Sequence, residues 1–304
     1  MKIVFMGTPA YATEILKALL KEEGIEILTV FTQPDKKAGR KMILTPPHIK
    51  SYIKENGIDI PIYQPESLKD EESYEIIKSL NPDFIIVAAY GQILPKNILD
   101  ISVCINLHAS ILPKYRGASP IQSAILNGDE FTGVTAMLMD EGLDRGDMLS
   151  FSYTKIGDKN VVKLFEELSK MAGELTVDTL KNFDRLKPIK QLDALASYAK
   201  KIVKEDGLIE FSDASLIYRK FKAFYLWPGI FLKSGLKLKD LEVAKRDGEY
   251  NRGEILSIED ERCIVVGCKR GAIKIFRLQP PSKREMGAVE YIRGKRLKVG
   301  DYLS

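Results

Sequence analysis

The N-terminal part of the chain alternates short apolar runs with segments of helical periodicity. The apolar runs at residues 3–6, 25–31, 84–89 and 103–107 predict strands, and a weaker run lies at 60–63. Residues 10–23 and 71–80 have the spacing of amphipathic helices. Continuous apolar runs are typical of strands that are buried on both faces. Because these strands alternate with helices, the pattern predicts an α/β fold with a doubly wound, mostly parallel sheet.

The same pattern continues to about residue 183 and places several polar segments on one rim. Residues 134–140 and 147–153 predict two further strands, and residues 160–183 predict a long amphipathic helix. Ligands of doubly wound sheets bind beyond the carboxyl ends of the strands. That rim receives the segment Gly7-Thr8-Pro9, the loop at residues 32–50, the pair Tyr90-Gly91, and His108.

The character of the sequence changes after residue 187. Residues 190–207 are polar and poorly periodic, which predicts a linker. A short helix follows at 215–223, and short strands are predicted at 230–232, 236–238, 253–258, 263–266 and 273–278. Short strands at this spacing are typical of a small β-barrel. We therefore predict an N-terminal domain over residues 1–189, a linker over 190–207 and a barrel domain over 208–304.

Charge is distributed unevenly between these parts. The 304 residues contain 46 Lys and Arg against 42 Asp and Glu, a net charge of +4. Residues 208–304 hold 20 basic and 13 acidic side chains, a net of +7, which leaves −3 for residues 1–207. A basic C-terminal part is consistent with a polyanionic partner. A solvated, lysine-rich surface would give the same count.

Several classes of protein are disfavoured by what the sequence lacks. Neither the G-x-G-x-x-G dinucleotide fingerprint nor the P-loop pattern occurs, which argues against nicotinamide dehydrogenases and P-loop nucleotidases. No apolar run approaches the roughly 18 residues of a membrane span, and the N-terminus reads as a strand, so we expect a cytoplasmic protein. The three cysteines, Cys104, Cys263 and Cys268, predict buried thiols without a disulfide, and no metal site is expected.

The chain contains only two histidines, and one of them follows a predicted strand. Asn106 and His108 lie on the same face at the carboxyl end of that strand. An amide donor beside an imidazole suits a reaction that builds negative charge on a carbonyl oxygen. A purely structural hydrogen-bonding role is an equal alternative. Asp144 or Asp147, in a glycine-rich turn, could orient the histidine, although such turns are also common as ordinary loops.

Two motifs carry a resemblance to a known family. The segment Asn106-Leu107-His108-Ala109-Ser110-Ile111-Leu112-Pro113, followed by Arg116-Gly117, resembles the signature of folate-dependent formyltransferases. The segment Gly142-Leu143-Asp144-Arg145-Gly146-Asp147 resembles the second motif of that family, with Asp144 as its catalytic aspartate. Residues 5–9, 32–40, 87–95 and 224–228 resemble the members that act on methionyl-tRNA. The departures are Ile111 for leucine, Ser119 for alanine, and a loop after Arg40 with fewer glycines and lysines.

The resemblance covers essentially the whole chain and implies a fold, a reaction and a set of site residues. The fold is a formyltransferase-type parallel sheet with a C-terminal barrel similar to an OB fold. The donor is 10-formyltetrahydrofolate, the acceptor is the α-amino group of methionine on initiator tRNA, and the product serves translation initiation. No prosthetic group is implied, and a monomer is expected.

The implied roles fall on three sets of residues. In catalysis, Asn106 donates to the oxyanion, His108 stabilises it or shuttles a proton, and Asp144 holds the imidazole. The folate is expected against strand-end residues, namely Val87, Ala89, Tyr90, Gly91, Ser110, Ile111, Leu112 and Pro113. A basic loop is expected to contact tRNA, with Arg40 entering the acceptor-stem region, through Lys36, Lys37, Arg40 and Lys41.

Two other functions remain open at this stage. A formyltransferase acting on a small-molecule amine, such as an amino-sugar nucleotide or glycinamide ribonucleotide, would share the N-terminal domain. It would not need the loop at residues 32–41 or a basic barrel. A noncatalytic RNA-binding protein of the same fold would not be expected to retain Asn106, His108 and Asp144 together.

Overall fold

The structure, a computed structural model, describes residues 1–39 and 42–303 and divides them into two compact units. The first unit comprises Met1–Pro120, Phe131–Lys155 and Leu164–Lys200. The second comprises Ile121–Glu130, Ile156–Lys163 and the chain from Lys201 onward. Residues 190–200, predicted as the beginning of a linker, therefore pack within the first unit. The assignment of residues 1–189 and 208–304 to separate functions stays a prediction.

The chain up to residue 200 contains the elements of the predicted α/β fold. In order, they are β1 (Lys2–Gly7), α1 (Ala10–Leu20), β2 (Glu26–Phe31), β3 (Lys36–Ala38), β4 (Ile43–Thr45), α2 (His48–Glu55), β5 (Ile62–Tyr63), α3 (Glu71–Leu80), β6 (Phe84–Ala88), α4 (Lys96–Leu99), β7 (Val103–His108), β8 (Arg116–Gly117), α5 (Pro120–Asn127), β9 (Phe131–Leu138), β10 (Met148–Lys155), α6 (Val161–Lys181) and β11 (Tyr198–Ala199). A seven-stranded sheet has the order β10-β9-β7-β6-β1-β2-β5. Its pairs are parallel from β7 through β5, and β9 and β10 join antiparallel. The predicted mostly parallel sheet is confirmed.

The central strand β1 ends at the predicted rim. Its side chains from Ile3 to Met6 are fully buried, as expected for a strand covered on both faces. A Cβ on Gly7 would lie 2.4 Å from the Cβ of Ala12, so only glycine allows α1 to begin directly after the strand. The Thr8 hydroxyl then donates to the Tyr90 carbonyl at 2.9 Å. The segments after β1 and β6 therefore adjoin at one rim.

Local signals set the ends of several elements. The Asp70 carboxylate accepts a hydrogen bond from the Ser73 N–H at 2.6 Å and caps α3. The same helix is followed by the C-cap residue Asn81, whose φ of +45° stops the helix after Leu80. Ala89 has a φ of +44°, so β6 ends one residue earlier than predicted. Within the predicted loop at 32–50, the structure contains the hairpin β3–β4 and the first turn of α2.

The second unit is built around an antiparallel sheet. Its elements are α7 (Ala214–Ala223), β12 (Ile230–Phe231), β13 (Lys237–Lys245), β14 (Ile255–Glu259), β15 (Cys263–Gly267), β16 (Ala272–Gln279), β17 (Met286–Gly287) and α8 (Ala288–Gly294). The sheet has the order β12-β13-β16-β15-β14, with β17 on β16, which confirms the barrel-like domain. β13 runs well beyond its predicted end at residue 238. Register shifts against β16 space the buried Leu238 and Leu241 three residues apart, which hides the strand period.

The three cysteines are free and buried, as predicted. Burial raises the pKa of the Cys104 and Cys268 thiols to about 12. Within the described ranges, no cluster of three or more His, Cys, Asp or Glu side chains could hold a metal ion. None of the described helices is long and apolar enough to cross a membrane.

Candidate active site

The strand β7 brings Asn106 and His108 to the rim of the sheet. It lies between β6 and β9, with Asn106 opposite Val87 on β6 and His108 opposite Thr135 on β9. Asn106 is half-buried, and His108 is 6 % exposed at the last position of the strand. Both side chains reach the same carboxylate, which confirms that they share a face.

That carboxylate belongs to Asp144. The Asn106 amide donates to Asp144 Oδ1 at 3.2 Å, and Asp144 Oδ2 lies 3.6 Å from His108 Nδ1. The Gly117 N–H donates to the same Oδ2 at 2.8 Å. Of the two acids left open by the sequence, the structure therefore brings Asp144 to the histidine. Asp147 instead contributes its backbone carbonyl, which accepts a hydrogen bond from the Leu138 N–H.

The other ring nitrogen of His108 is fixed by the backbone. His108 Nε2 lies 2.8 Å from the Tyr115 carbonyl oxygen. A carbonyl only accepts, so Nε2 carries a proton and donates it to this hydrogen bond. Nδ1 is then the nitrogen that faces Asp144. Sequence reasoning could not find this partner, because a backbone carbonyl carries no residue-specific signal.

Two buried side chains, Arg116 and Gln191, lie next to the turn that carries Asp144. The Arg116 guanidinium donates through Nε to Gln191 Oε1 at 3.0 Å and through Nη2 to Asp193 at 2.9 Å. Burial alone would lower the pKa of Arg116, but its hydrogen bonds with Asp193 and Tyr198 outweigh burial and the pKa is raised. Sequence reasoning missed Gln191, because a polar residue in a polar segment gives no sign that it is buried.

The strand β11 completes the site from the segment predicted as a linker. β11 pairs in parallel with β8, and the Arg116 N–H donates to the Ser197 carbonyl at 2.8 Å. Gly117 has a φ of +109°, and a Cβ there would lie 2.8 Å from the Ala199 carbonyl oxygen. Glycine is required at this position, and its N–H is the one that holds Asp144.

The eight residues expected to contact folate lie at the ends of two adjacent strands. Val87, Ala89, Tyr90 and Gly91 lie at the end of β6, and Ser110, Ile111, Leu112 and Pro113 follow β7. The Tyr90 side chain belongs to the hydrophobic core, and the Ser110 hydroxyl donates to the Lys114 carbonyl at 2.6 Å. Both side chains are therefore buried and not exposed at the rim. The contact with folate stays a prediction.

The basic loop expected to contact tRNA is a hairpin. Lys36 and Lys37 are exposed on β3, and Lys36 Nζ donates to Gln33 Oε1 at 3.2 Å. Arg40 and Lys41 lie outside the described residues. The following residues Met42, Ile43 and Leu44 are each about 60 % exposed, so the described part of the hairpin presents apolar as well as basic side chains.

Two family models together match most of the chain. A formyl transferase model matches residues 1–180, and the C-terminal domain model of formyl transferases matches residues 201–296. The chain belongs to the formyl transferase family. This confirms the resemblance and the prediction of a one-carbon group transferase.

Curated relatives place the chain more narrowly within the family. A methionyl-tRNA formyltransferase from a Nitratiruptor species is 59 % identical over 99 % of both chains. The methionyl-tRNA formyltransferase of Campylobacter curvus is 56 % identical over the full length of both. The predicted resemblance to formyltransferases that act on methionyl-tRNA is confirmed over the whole chain.

Solved structures of other proteins share the fold. An N-formyltransferase from Helicobacter canadensis, in complex with folinic acid and dTDP-3-aminofucose, superimposes with a TM-score of 0.68 at 18 % identity, covering 91 % of this chain and 99 % of that one. HypX from Aquifex aeolicus, in complex with tetrahydrofolic acid, has a TM-score of 0.61 at 17 % identity. That match covers 96 % of this chain and 47 % of HypX. At such identities the likeness establishes the fold of this formyltransferase and no further property.

Proposed function

We propose that this formyltransferase transfers the formyl group of 10-formyltetrahydrofolate to the α-amino group of methionine on initiator tRNA. The observation that carries the proposal is the meeting of Asn106, His108 and Asp144 at the carboxyl end of β7. The relatives above 50 % identity that are named for methionyl-tRNA support this acceptor. The formylmethionyl-tRNA that results would serve translation initiation, and we expect a monomeric cytoplasmic enzyme.

The reaction forms one carbon–nitrogen bond and breaks another. The methionyl amine attacks the formyl carbon, and the carbonyl oxygen becomes an oxyanion that accepts a hydrogen bond from the Asn106 amide. The amine loses a proton, and the bond from the formyl carbon to N10 breaks as N10 gains a proton. The net change is one formyl group moved in one direction and one proton in the other.

We assign the proton transfer to His108 Nδ1. Nε2 is occupied by the Tyr115 carbonyl, so Nδ1 is the nitrogen that can exchange a proton. Its 3.6 Å separation from Asp144 exceeds hydrogen-bond length, as catalytic contacts often do before substrate binds. When Nδ1 takes the proton, the imidazolium lies beside the Asp144 carboxylate, which stabilises its charge.

For the tRNA we propose two contact regions. One is the hairpin that carries Lys36 and Lys37, together with the adjoining residues Arg40 and Lys41. The other is the C-terminal part with a net charge of +7 over residues 208–304. Contacts to phosphates release counterions, so the affinity for tRNA should fall steeply as salt concentration rises. An affinity that does not change with salt would contradict both regions.

The deciding experiment offers several acceptors to the purified protein with 10-formyltetrahydrofolate. The acceptors are methionyl initiator tRNA, methionyl elongator tRNA, free methionine and an amino-sugar nucleotide. Formylated product is measured in each case, for the two tRNAs after hydrolysis of the ester that joins methionine to tRNA. We expect rapid formylation of the initiator tRNA and little of the others. Transfer to the amino sugar alone would replace this proposal with a small-molecule formyltransferase.

A further inference from the structure

Gln191 is a buried side chain whose hydrogen bonds converge on the turn that carries Asp144. It is 4 % exposed. Its Nε2 group donates to the Asp144 carbonyl at 3.0 Å and to the Gly146 carbonyl at 2.8 Å. Its Oε1 accepts from Arg116 Nε at 3.0 Å. Both amide donors are therefore used on two carbonyls of one tight turn.

This turn needs such support because of its backbone. Asp144 has a φ of +50°, a left-handed conformation that is unfavourable for an L-residue with a Cβ. Such residues persist where their surroundings over-determine them, and they are concentrated at functional sites. The turn is also closely packed, since a Cβ on Gly146 would lie 1.8 Å from the Leu138 carbonyl oxygen.

The backbone carbonyl and the carboxylate of Asp144 are both linked by hydrogen bonds to the short strand β8, the former through Gln191. Its backbone carbonyl is held by Gln191, which is in turn oriented by the Arg116 guanidinium. Its carboxylate is held by the N–H of Gly117, the next residue of β8. The position of the carboxylate relative to β7 therefore depends on both links.

We propose that Gln191 is a positioning residue for formyl transfer, which fixes the Asp144 carboxylate against His108 and Asn106. The proposal rests on the catalytic role proposed above for Asp144. Gln191 lies in the segment at 190–207 that sequence pattern alone assigns to a linker. A displacement of a catalytic group by about 1 Å can lower turnover on the order of a hundredfold.

The first test is Gln191→Glu. This variant keeps the shape of the side chain and an oxygen for Arg116, but it places an oxygen against two carbonyl oxygens. We expect kcat to fall about 10- to 100-fold. The KM values for tRNA and folate should change less than about threefold, because the Gln191 side chain is buried and its amide is engaged within the protein.

The matched control is Asn182→Asp. It makes the same exchange of amide for carboxylate at an exposed side chain that also donates to a backbone carbonyl, that of Asp178. We expect its kcat to stay within about twofold of the parent. If circular dichroism shows that Gln191→Glu is unfolded, Gln191→Met is used instead, because methionine has a similar length and no charge. The same changes in kcat and KM are then expected.

A double-mutant cycle separates positioning from general damage. If Gln191 acts through Asp144, then Gln191→Glu should cause less than about a threefold further loss in an Asp144→Asn background. An unchanged kcat in the single variant, or a full multiplicative loss in the double variant, would overturn the inference. Parental activity of Asp144→Asn alone would instead refute the catalytic role of Asp144, and this inference with it.

Discussion

Replacing Asn106 by alanine tests the oxyanion role most directly. The substitution removes the amide that donates to Asp144 Oδ1 at 3.2 Å and that we expect to donate to the oxyanion. Loss of one oxyanion donor typically lowers kcat by about 10²–10³-fold, equivalent to about 2.7–4 kcal/mol of transition-state stabilisation. We expect a loss within that range. Among the described residues, no other side-chain amide is hydrogen-bonded to the Asp144 carboxylate, so none is in the position of Asn106 to replace it as donor.

The effect on stability should be small by comparison. One long, half-buried hydrogen bond is removed, which is worth about 1 kcal/mol, and Asp144 keeps its bond from the Gly117 N–H at 2.8 Å. For a unit of this size, that loss lowers Tm by roughly 2–4 °C. The protein should therefore remain folded at the assay temperature even though kcat falls strongly.

The assay is formylation of methionyl initiator tRNA at saturating concentrations of both substrates, with Tm measured on the same samples. Asn182→Ala provides the control, because Asn182 is an exposed amide directly after the end of α6. It should leave kcat within about twofold of the parent. A loss below about tenfold for Asn106→Ala, in folded protein, would remove Asn106 from the oxyanion role.

Other contacts carry three further predictions. His108→Gln should lower kcat about 10²–10⁴-fold, whereas His48→Gln, at the exposed second histidine, should stay within about twofold in the same assay. Gly117→Ala forces a Cβ into a positive-φ position, so calorimetry should show that the free energy of unfolding falls by about 1–3 kcal/mol. An unchanged Tm would contradict this strain. Hydrogen bonds from Lys50 and Gln64 hold the pKa of Asp35 below its usual range. The ionised carboxylate therefore favours the folded state above the ordinary pKa, and this contribution is lost as pH falls through the folded value. The difference in Tm between the parent and Asp35→Asn should narrow from about pH 5 to about pH 3, and a difference that does not depend on pH would rule out the ion pair.

The sequence by itself determined the fold class, because the core strands are apolar on both faces. The runs that form β1, β6 and β7 are buried as predicted, and strand alternation with helices specified a parallel sheet. Strand period also placed Asn106 and His108 on one face. These signals are local, so they can be read along the chain without knowledge of what packs against it.

Local signals failed where backbone irregularity or context decides the structure. The prediction for β13 ended too early because its register shifts break the period of two. The hairpin β3–β4 was predicted as loop, since its strands are only three residues long and its β4 residues are exposed.

Only the tertiary structure decided which groups complete the site. The choice of Asp144 over Asp147 depends on a turn whose direction is set by Gly146 and by a carbonyl bonded to Gln191. The occupation of His108 Nε2 depends on a backbone carbonyl seven residues away. Gln191 itself lies in a polar stretch that looks like a linker, and it becomes part of the site because β11 pairs with β8. Side-chain type fixes which hydrogen bonds a residue can make, but distant segments must fold together before any of them is made.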